Sequence, residues 1–116
     1  MPPEQEEPPS YEVRFSRKAE QYINGLQRKD AKIIAGVLQR IARAPREGAE
    51  KLNQNPSFWR VRAGNHRIVY LILDDRKMII VALVRDRKDA YRDLHKLNPA
   101  VLIRTLATTL ASSRSR

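Results

Sequence analysis

The chain has 116 residues, enough for one domain with a single core, and its hydrophobic fraction of 41% excludes an intrinsically disordered protein. It contains no cysteine and no run of about 18 apolar residues, which excludes disulfide bonds, thiolate metal sites and a membrane-spanning helix. Its net charge of +10, carried mostly by arginine, predicts a polyanionic partner, which is RNA, DNA or an acidic protein.

Residues 1–10 are predicted to form a flexible tail, because prolines block regular structure and three glutamates repel one another there. Beyond this tail, residues 11–116 carry 23 basic against 10 acidic side chains, a net charge of +13. The tail has neither the basic nor the apolar stretch of a signal peptide, so a cytoplasmic location is expected. Residues 11–15 then alternate apolar and polar side chains, which predicts a first strand.

Two amphipathic helices are predicted after this strand. Ser16 is the expected N-cap of the first helix, whose apolar positions continue to Leu26 at helical spacing. The second helix is predicted over residues 30–44, and Pro45 ends it because proline cannot continue the hydrogen-bond ladder. A short polar turn joins the two, so they should form an antiparallel hairpin, followed by a loop over residues 45–57.

Three strands are predicted in quick succession over residues 58–63, 66–73 and 78–84, with tight turns between them. The order of elements is therefore strand-helix-helix-strand-strand-strand. This order predicts an α+β fold, in which a mainly antiparallel sheet carries the helical hairpin on one face.

The chain after the sheet is predicted to be helical. Residues 88–97 suit a short helix, and Asn98 and Pro99 are an N-cap and N1 pair for a last helix ending near Ala111. We therefore expect a domain over residues 11–97 and a C-terminal helical extension over residues 98–116.

Four short strings resemble motifs of the RelE/ParE toxin superfamily, and they occur in the order that the family has. They are YEVRFS over residues 11–16, Pro45 followed by Lys51-Leu52, WRVRAGNHRIVY over residues 59–70, and VRDRKDAY over residues 84–91. The third is the most specific, because it is similar to a whole double strand of the family. The resemblance covers residues 11–94.

The resemblance implies the toxin of a type II toxin–antitoxin pair. RelE-like members cleave messenger RNA in the ribosomal A site, whereas ParE-like members inhibit DNA gyrase and lack the basic catalytic set. The sequence shows no Asp/Glu/His metal cluster, so metal-free cleavage is the expected route. An acidic antitoxin that covers the basic surface is the implied protein partner, with no small-molecule cofactor and no membrane. The leading hypothesis is a ribosome-dependent mRNA endoribonuclease that inhibits translation. A gyrase inhibitor and a non-catalytic RNA-binding module remain open.

Arginines carry the expected chemistry. Arg60 and Arg62 lie on one strand face because strand side chains repeat every two residues, and the following turn brings Arg67 beside them. By resemblance, Arg60 and Arg62 match two basic strand positions and Arg67 matches a phosphate-binding arginine. Arg87 and Tyr91 match the arginine and tyrosine that close the family's motif. The alternative is that the arginines form a solvated face.

The general base is the open question, because Arg62 stands where the family often has lysine and arginine stays protonated. His66 and His95 are candidate acid/base residues, since histidine titrates near neutral pH. Arg85 is the alternative match for the family's closing arginine, if the alignment is shifted by two residues. The further residues expected to bind RNA are basic ones that flank the motifs: Arg85, Lys88 and Lys51.

Overall fold

A computed structural model of the chain describes residues 10–89 and 92–107. Its strands are β1 (Glu12–Phe15), β2 (Glu50–Lys51), β3 (Trp59–Ala63), β4 (His66–Leu73) and β5 (Met78–Asp86). Its α-helices are α1 (Arg17–Asn24), α2 (Arg28–Arg43) and α3 (Pro99–Leu102). None of the helices in these two ranges is both long and apolar enough to span a bilayer.

The strands form one sheet in the order β1-β5-β4-β3-β2, and the α+β prediction is confirmed. Strand β1 is parallel to β5, and all other pairs are antiparallel. A parallel neighbour needs a crossover connection, which here begins with the α1–α2 hairpin. Strand β2 was not predicted, because its two residues lie in a polar stretch that reads as loop.

The start of the α1–α2 hairpin follows from local chemistry. The Ser16 hydroxyl accepts a hydrogen bond from the Ala19 N–H at 3.1 Å and donates one to the Ala82 carbonyl at 2.6 Å. It therefore caps α1 and ties the start of that helix to β5. Helix α2 begins at Arg28, two residues before the predicted start, and its apolar stripe buries Ile34 and Ile41 against the sheet.

Tyr70 is the largest fully buried side chain on the helical side of the sheet. Its hydroxyl donates a hydrogen bond to the Pro45 carbonyl at 2.6 Å, which fixes the loop after α2. Burial raises the pKa of Tyr70 to about 12, because the phenolate form would lose its hydration.

The C-terminal segment, residues 94–107, packs on part of the opposite sheet face. Leu94 and Ala107 are buried there against apolar strand residues such as Leu71 and Ile80. Asn55 fastens the segment, because its side-chain amide donates to the carbonyls of Leu94 at 3.2 Å and Leu97 at 2.9 Å. The sheet therefore has a helical hairpin on one face and this segment on the other.

The predicted helix over residues 88–97 is wrong. Turns occupy residues 87–89 and 92–93, and only Leu94–Lys96 form one 3₁₀ turn. Asp93 adopts a left-handed conformation at φ 55°, which interrupts any helix there.

The last helix starts as predicted, since the Asn98 side chain accepts from the Val101 N–H at 3.2 Å. Helix α3 then widens into a π turn over Ile103–Ala107. The predicted tail and the predicted helix end near Ala111 fall largely on residues 1–9 and 108–116, outside the described residues.

Strand β5 contains a bulge of one residue. Val81 pairs with Tyr70 and Leu83 pairs with Val69, so Ala82 has no partner in β4. Ala82 and Leu83 consequently point to the same sheet face, and the alternation of side chains is inverted beyond them. The bulge is therefore what places Arg85, rather than Val84, on the face that the C-terminal segment leaves partly open.

Candidate functional site

Three arginines stand side by side across the sheet, and we call them the arginine row: Arg62, Arg67 and Arg85. Arg62 is the direct partner of Arg67 across the β3–β4 pair, and Arg67 is the direct partner of Arg85 across the β4–β5 pair. Directly opposed residues have Cβ atoms about 4.5–5.5 Å apart. Arg60 extends the row along β3, because it lies two residues from Arg62 on the same face.

The row has little compensating charge. Within residues 10–89 and 92–107, Arg62 makes no hydrogen bond and no ion pair, and Arg67 donates only to the His66 backbone carbonyl at 3.3 Å. Arg60 differs, because it forms an ion pair with the exposed carboxylate of Glu50. Adjacent unpaired guanidinium groups repel one another and are stabilised when an anion lies among them.

A cleft of about 290 Å³ lies beside these side chains. Arg60, Arg62 and Arg67 line it together with Glu50 and Gly48. Gly48 has a φ of 73°, so the loop turns tightly at the cleft edge in a conformation that glycine adopts without strain. The cleft combines three guanidinium groups with one carboxylate, which is suited to a phosphate group.

Arg85 also holds the chain that follows β5. Its Nη1 donates to the carbonyl of Asp89 at 3.2 Å and to the carbonyl of Arg92 at 2.6 Å. These two residues flank Tyr91, which lies outside the described residues. Arg85 therefore fixes the chain on both sides of the predicted tyrosine, in addition to adding charge to the row.

His66 lies on the other side of the sheet. It is 7% exposed, its Nδ1 is 2.9 Å from the Tyr22 hydroxyl, and its Nε2 is 3.8 Å from an Asp30 carboxylate oxygen. Burial, followed by the charges of Asp86, Asp30 and Asp89, raises the pKa of Tyr22. The structure thus places His66 in a polar contact between the sheet and the helical hairpin, away from the arginine row.

The other predicted residues are spread more widely. Arg87 is exposed directly after β5, and its backbone N–H donates to the Asn65 carbonyl at 2.9 Å. Lys88 and His95 are exposed in the turn and the 3₁₀ helix that follow. Lys51 lies with its Nζ 5.7 Å from the centre of the Trp59 ring, on the helical side of the sheet, and so does not join the row.

Glu50 is a site residue that was not predicted from the sequence. It lies opposite Arg60 in the β2–β3 pair and provides the carboxylate nearest to the row. A two-residue strand leaves no alternating pattern long enough to detect. The signal available was limited to an acidic side chain beside Lys51, in the string that matched the family loop.

A protein-family model matches more than half of the chain. A family model described as the ParE toxin of type II toxin–antitoxin systems, parDE, matches residues 13–91. This range includes all four strands that surround the site, the arginine row and Arg60. No curated protein sequence matches the chain significantly.

Solved structures of toxins share the fold. The toxin–antitoxin complex RelBE2 from Mycobacterium tuberculosis is 24% identical, with a TM-score of 0.56 over 67% of this chain and 99% of that chain. The intact RelBE complex of E. coli is 23% identical, with a TM-score of 0.60 over 66% and 96% of the two chains. The isolated E. coli RelE toxin is 19% identical, with a TM-score of 0.60, and covers 92% of this chain and 100% of its own.

Proposed function

This chain is a toxin of the ParE family of type II toxin–antitoxin systems, and we propose that it cleaves messenger RNA in the ribosomal A site. The observation that carries the proposal is the arginine row, with Arg60 on the same sheet face. Four guanidinium groups on one face suit the charge of a phosphodiester and of the transition state in which it is cleaved.

RNA cleavage by this route needs no metal ion. The 2′-hydroxyl oxygen attacks the adjacent phosphorus, and the P–O2′ bond forms as the P–O5′ bond breaks. One fragment then ends in a 2′,3′-cyclic phosphate, and the other begins with a 5′-hydroxyl. The 2′-hydroxyl must lose its proton, the 5′-oxygen must gain one, and negative charge accumulates on the oxygens around phosphorus.

We assign the stabilisation of this charge to Arg62 and Arg67. Their guanidinium groups are opposed across two strands and carry no ion pair among the described residues, so both are available to phosphate oxygens. Arg60 adds to them when phosphate displaces the Glu50 carboxylate, which is 71% exposed and therefore readily exchanged. Each guanidinium group can donate two parallel hydrogen bonds to a phosphate.

Proton transfer needs a group other than the arginines that stabilise the charge. Arg62 stays protonated in proteins and cannot act as a general base. His66 packs on the opposite side of the sheet, against Tyr22. We therefore propose that water accepts the 2′-hydroxyl proton and that water also donates the proton that the 5′-oxygen gains as the P–O5′ bond breaks. The arginines supply positioning and charge stabilisation. His95, exposed in the C-terminal segment, is the remaining side-chain candidate for this step.

An acidic antitoxin is the protein partner that we propose. Several of the solved relatives are complexes of a RelE toxin with a RelB antitoxin. Residues 11–116 of this chain have a net charge of +13, so a segment rich in Asp and Glu would be attracted over a long range. Such a segment on the arginine row would exclude RNA from it.

Ribosomes stalled with a defined codon in the A site test the proposal directly. Wild-type protein should cut the mRNA at that codon, and the Arg62→Ala/Arg67→Ala double variant should not. Lys29→Ala/Lys32→Ala removes an equal charge from exposed positions of α2, on the other face of the sheet, and serves as the matched control. Intact mRNA after incubation with folded wild-type protein would exclude this function.

Inhibition of DNA gyrase is the second candidate, because the family model that matches is the one described as the ParE toxin. A gyrase inhibitor would block supercoiling of a relaxed plasmid and leave ribosome-bound mRNA intact. The two assays on one preparation therefore separate the candidates. Binding of RNA with neither activity would identify a non-catalytic RNA-binding module.

A further inference from the structure

A second cavity lies on the arginine-row side of the sheet, between the start of α1, strand β5 and the C-terminal segment. Its volume is about 470 Å³. Its floor is apolar and is formed by Ala82 and Leu83 from β5 and by Leu97 and Leu102 from the segment. The β5 bulge makes this floor, because it directs Ala82 and Leu83 to the same side, and the small alanine side chain leaves room.

The rim of this cavity is polar and cationic. Four basic residues stand around it, Arg17, Lys18, Arg85 and Lys96, together with one acid, Asp93. Lys96 and Asp93 are weakly paired at 3.9 Å and are 69% and 52% exposed, so both remain available to a ligand. The combination of an apolar floor and a cationic rim suits a flat, partly apolar molecule that carries acceptor atoms and a negative charge.

Arg85 joins this cavity to the arginine row. It is the β5 member of the row and also a lining residue of the cavity. A phosphate held by Arg67 and Arg85 would therefore leave the attached nucleoside beside the cavity mouth. No residue of the proposed cleavage chemistry other than Arg85 lines this space, so the cavity is a separate binding site continuous with the row.

We propose that this cavity binds a purine base of the RNA strand whose phosphate lies on the arginine row, an inference that rests on the proposed function. The aliphatic floor receives the ring face. The cationic rim matches N7 and O6 of guanine, which are both acceptors, better than adenine, which presents the N6 amino donor beside N7. Asp93 is the acceptor at the rim for the N2 amino group of guanine.

Methyl NMR of the full chain with nucleoside 5′-monophosphates tests this assignment. A base stacked on the floor shifts the methyl resonances of Leu83, Leu97 and Leu102 through its ring current. We expect the largest shifts with GMP, smaller ones with AMP, the smallest with CMP and UMP, and none with inorganic phosphate. Equal shifts with phosphate alone, larger shifts with the pyrimidines, or no methyl shift at saturating GMP would each overturn the proposal.

Variants at the rim give a second measurement that leaves the core intact. Lys18→Gln/Lys96→Gln should raise the Kd for GMP by about three- to tenfold, because two exposed charge contacts are lost. The control is Lys29→Gln/Lys32→Gln, which removes the same charge from exposed positions of α2 on the other face of the sheet. An equal change of Kd in the two pairs would mean that net charge alone holds the nucleotide, and would overturn the site.

The outcomes also separate this inference from the proposed function. Nucleotide binding is measured without ribosomes, and cleavage is measured with them. Methyl shifts without mRNA cleavage would remove the proposed function and leave a purine site. Cleavage without methyl shifts would keep the nuclease and remove the purine site.

Discussion

Arg62 and Arg67 face each other across the β3–β4 pair, and no acidic side chain in the described part of the chain pairs with either of them. Like charges directly opposed on a sheet are destabilising by a fraction of a kcal/mol, roughly 0.2–1. The fold therefore holds two cations together at a cost that an anionic ligand would offset.

Replacing Arg67 by alanine should slow mRNA cleavage by about 10²–10³-fold, the usual effect of removing one transition-state donor. The variant should be as stable as the wild type or slightly more so, because the repulsion with Arg62 and Arg85 is relieved. Single-turnover cleavage on programmed ribosomes and thermal unfolding measure the two effects. Cleavage at the wild-type rate by the folded variant would contradict the assignment.

Replacing Arg62 by lysine should retain cleavage, because lysine keeps the positive charge and can also lose its proton when desolvated. Replacing it by glutamine removes the charge and should cost about 10²-fold or more. The same single-turnover assay across pH 5.5–8.5, roughly the range where histidine titrates, compares the two variants. If Arg62→Lys were as inactive as Arg62→Gln, the geometry of the guanidinium group rather than its charge would be essential.

His66→Gln is expected to affect folding rather than cleavage. The substitution disturbs the contact with the Tyr22 hydroxyl at 2.9 Å and should lower the free energy of unfolding by about 1 kcal/mol. His95→Gln, at an exposed position, should leave stability unchanged. A pH–rate profile that rises near an apparent pKa of about 6–7 and is flattened by His95→Gln would move the acid/base role to the C-terminal segment.

Asp74 should stabilise the fold against acid. Hydrogen bonds from Arg46, at 2.7 Å, and from Tyr11, at 2.7 Å, lower the pKa of Asp74 from 3.8 to about 2. The contribution of Asp74 to the free energy of unfolding is therefore complete above pH 3.8 and is lost as the pH falls through about 2. Asp74→Asn should shift acid unfolding to higher pH, and high salt should reduce the difference because the pair is exposed. Asp75→Asn, in the same turn, is the control.

Tyr70→Phe should destabilise the protein by about 1–3 kcal/mol, because the buried Pro45 carbonyl loses its partner. The pKa of Tyr70 is raised from 10.0 to about 12, so the unfolded chain ionises this group first as the pH rises. The difference in free energy of unfolding between the wild type and Tyr70→Phe should therefore be largest below pH 10 and decline above it. Chemical denaturation of both proteins at pH 8 and pH 11 measures the decline, and an equal difference at the two pH values would contradict it.

Most of the sheet could be predicted because its signals are local. The alternation in residues 58–63 fixed the face of Arg60 and Arg62, and the Gly64-Asn65 turn fixed the register that opposes Arg62 to Arg67. Strand β5 is apolar on both faces up to Val84, so its pattern contains no information about which residue is unpaired. The position of Arg85 in the row depends on that unpaired residue and could not be predicted.

The segment after β5 could not be predicted for a different reason. Residues 88–97 have a helical composition, but Arg85 binds the carbonyls of Asp89 and Arg92 and holds the chain in turns. Leu94 is buried against the sheet, and a short exposed helix is marginal alone. Tertiary contacts of this kind do not appear in a local pattern.

The bulge at Ala82 also determines how β5 responds to a change in its length. A strand that alternates regularly turns every later side chain to the opposite face when one residue is lost or gained. Here the loss of Ala82 would leave Leu83 opposite Val69 and Arg85 opposite Arg67, because the unpaired residue is the one removed. An added residue has no such compensation and would turn Arg85 towards the helical hairpin. The arginine site should therefore survive the deletion of the Ala82 codon, but not the insertion of a codon into this strand.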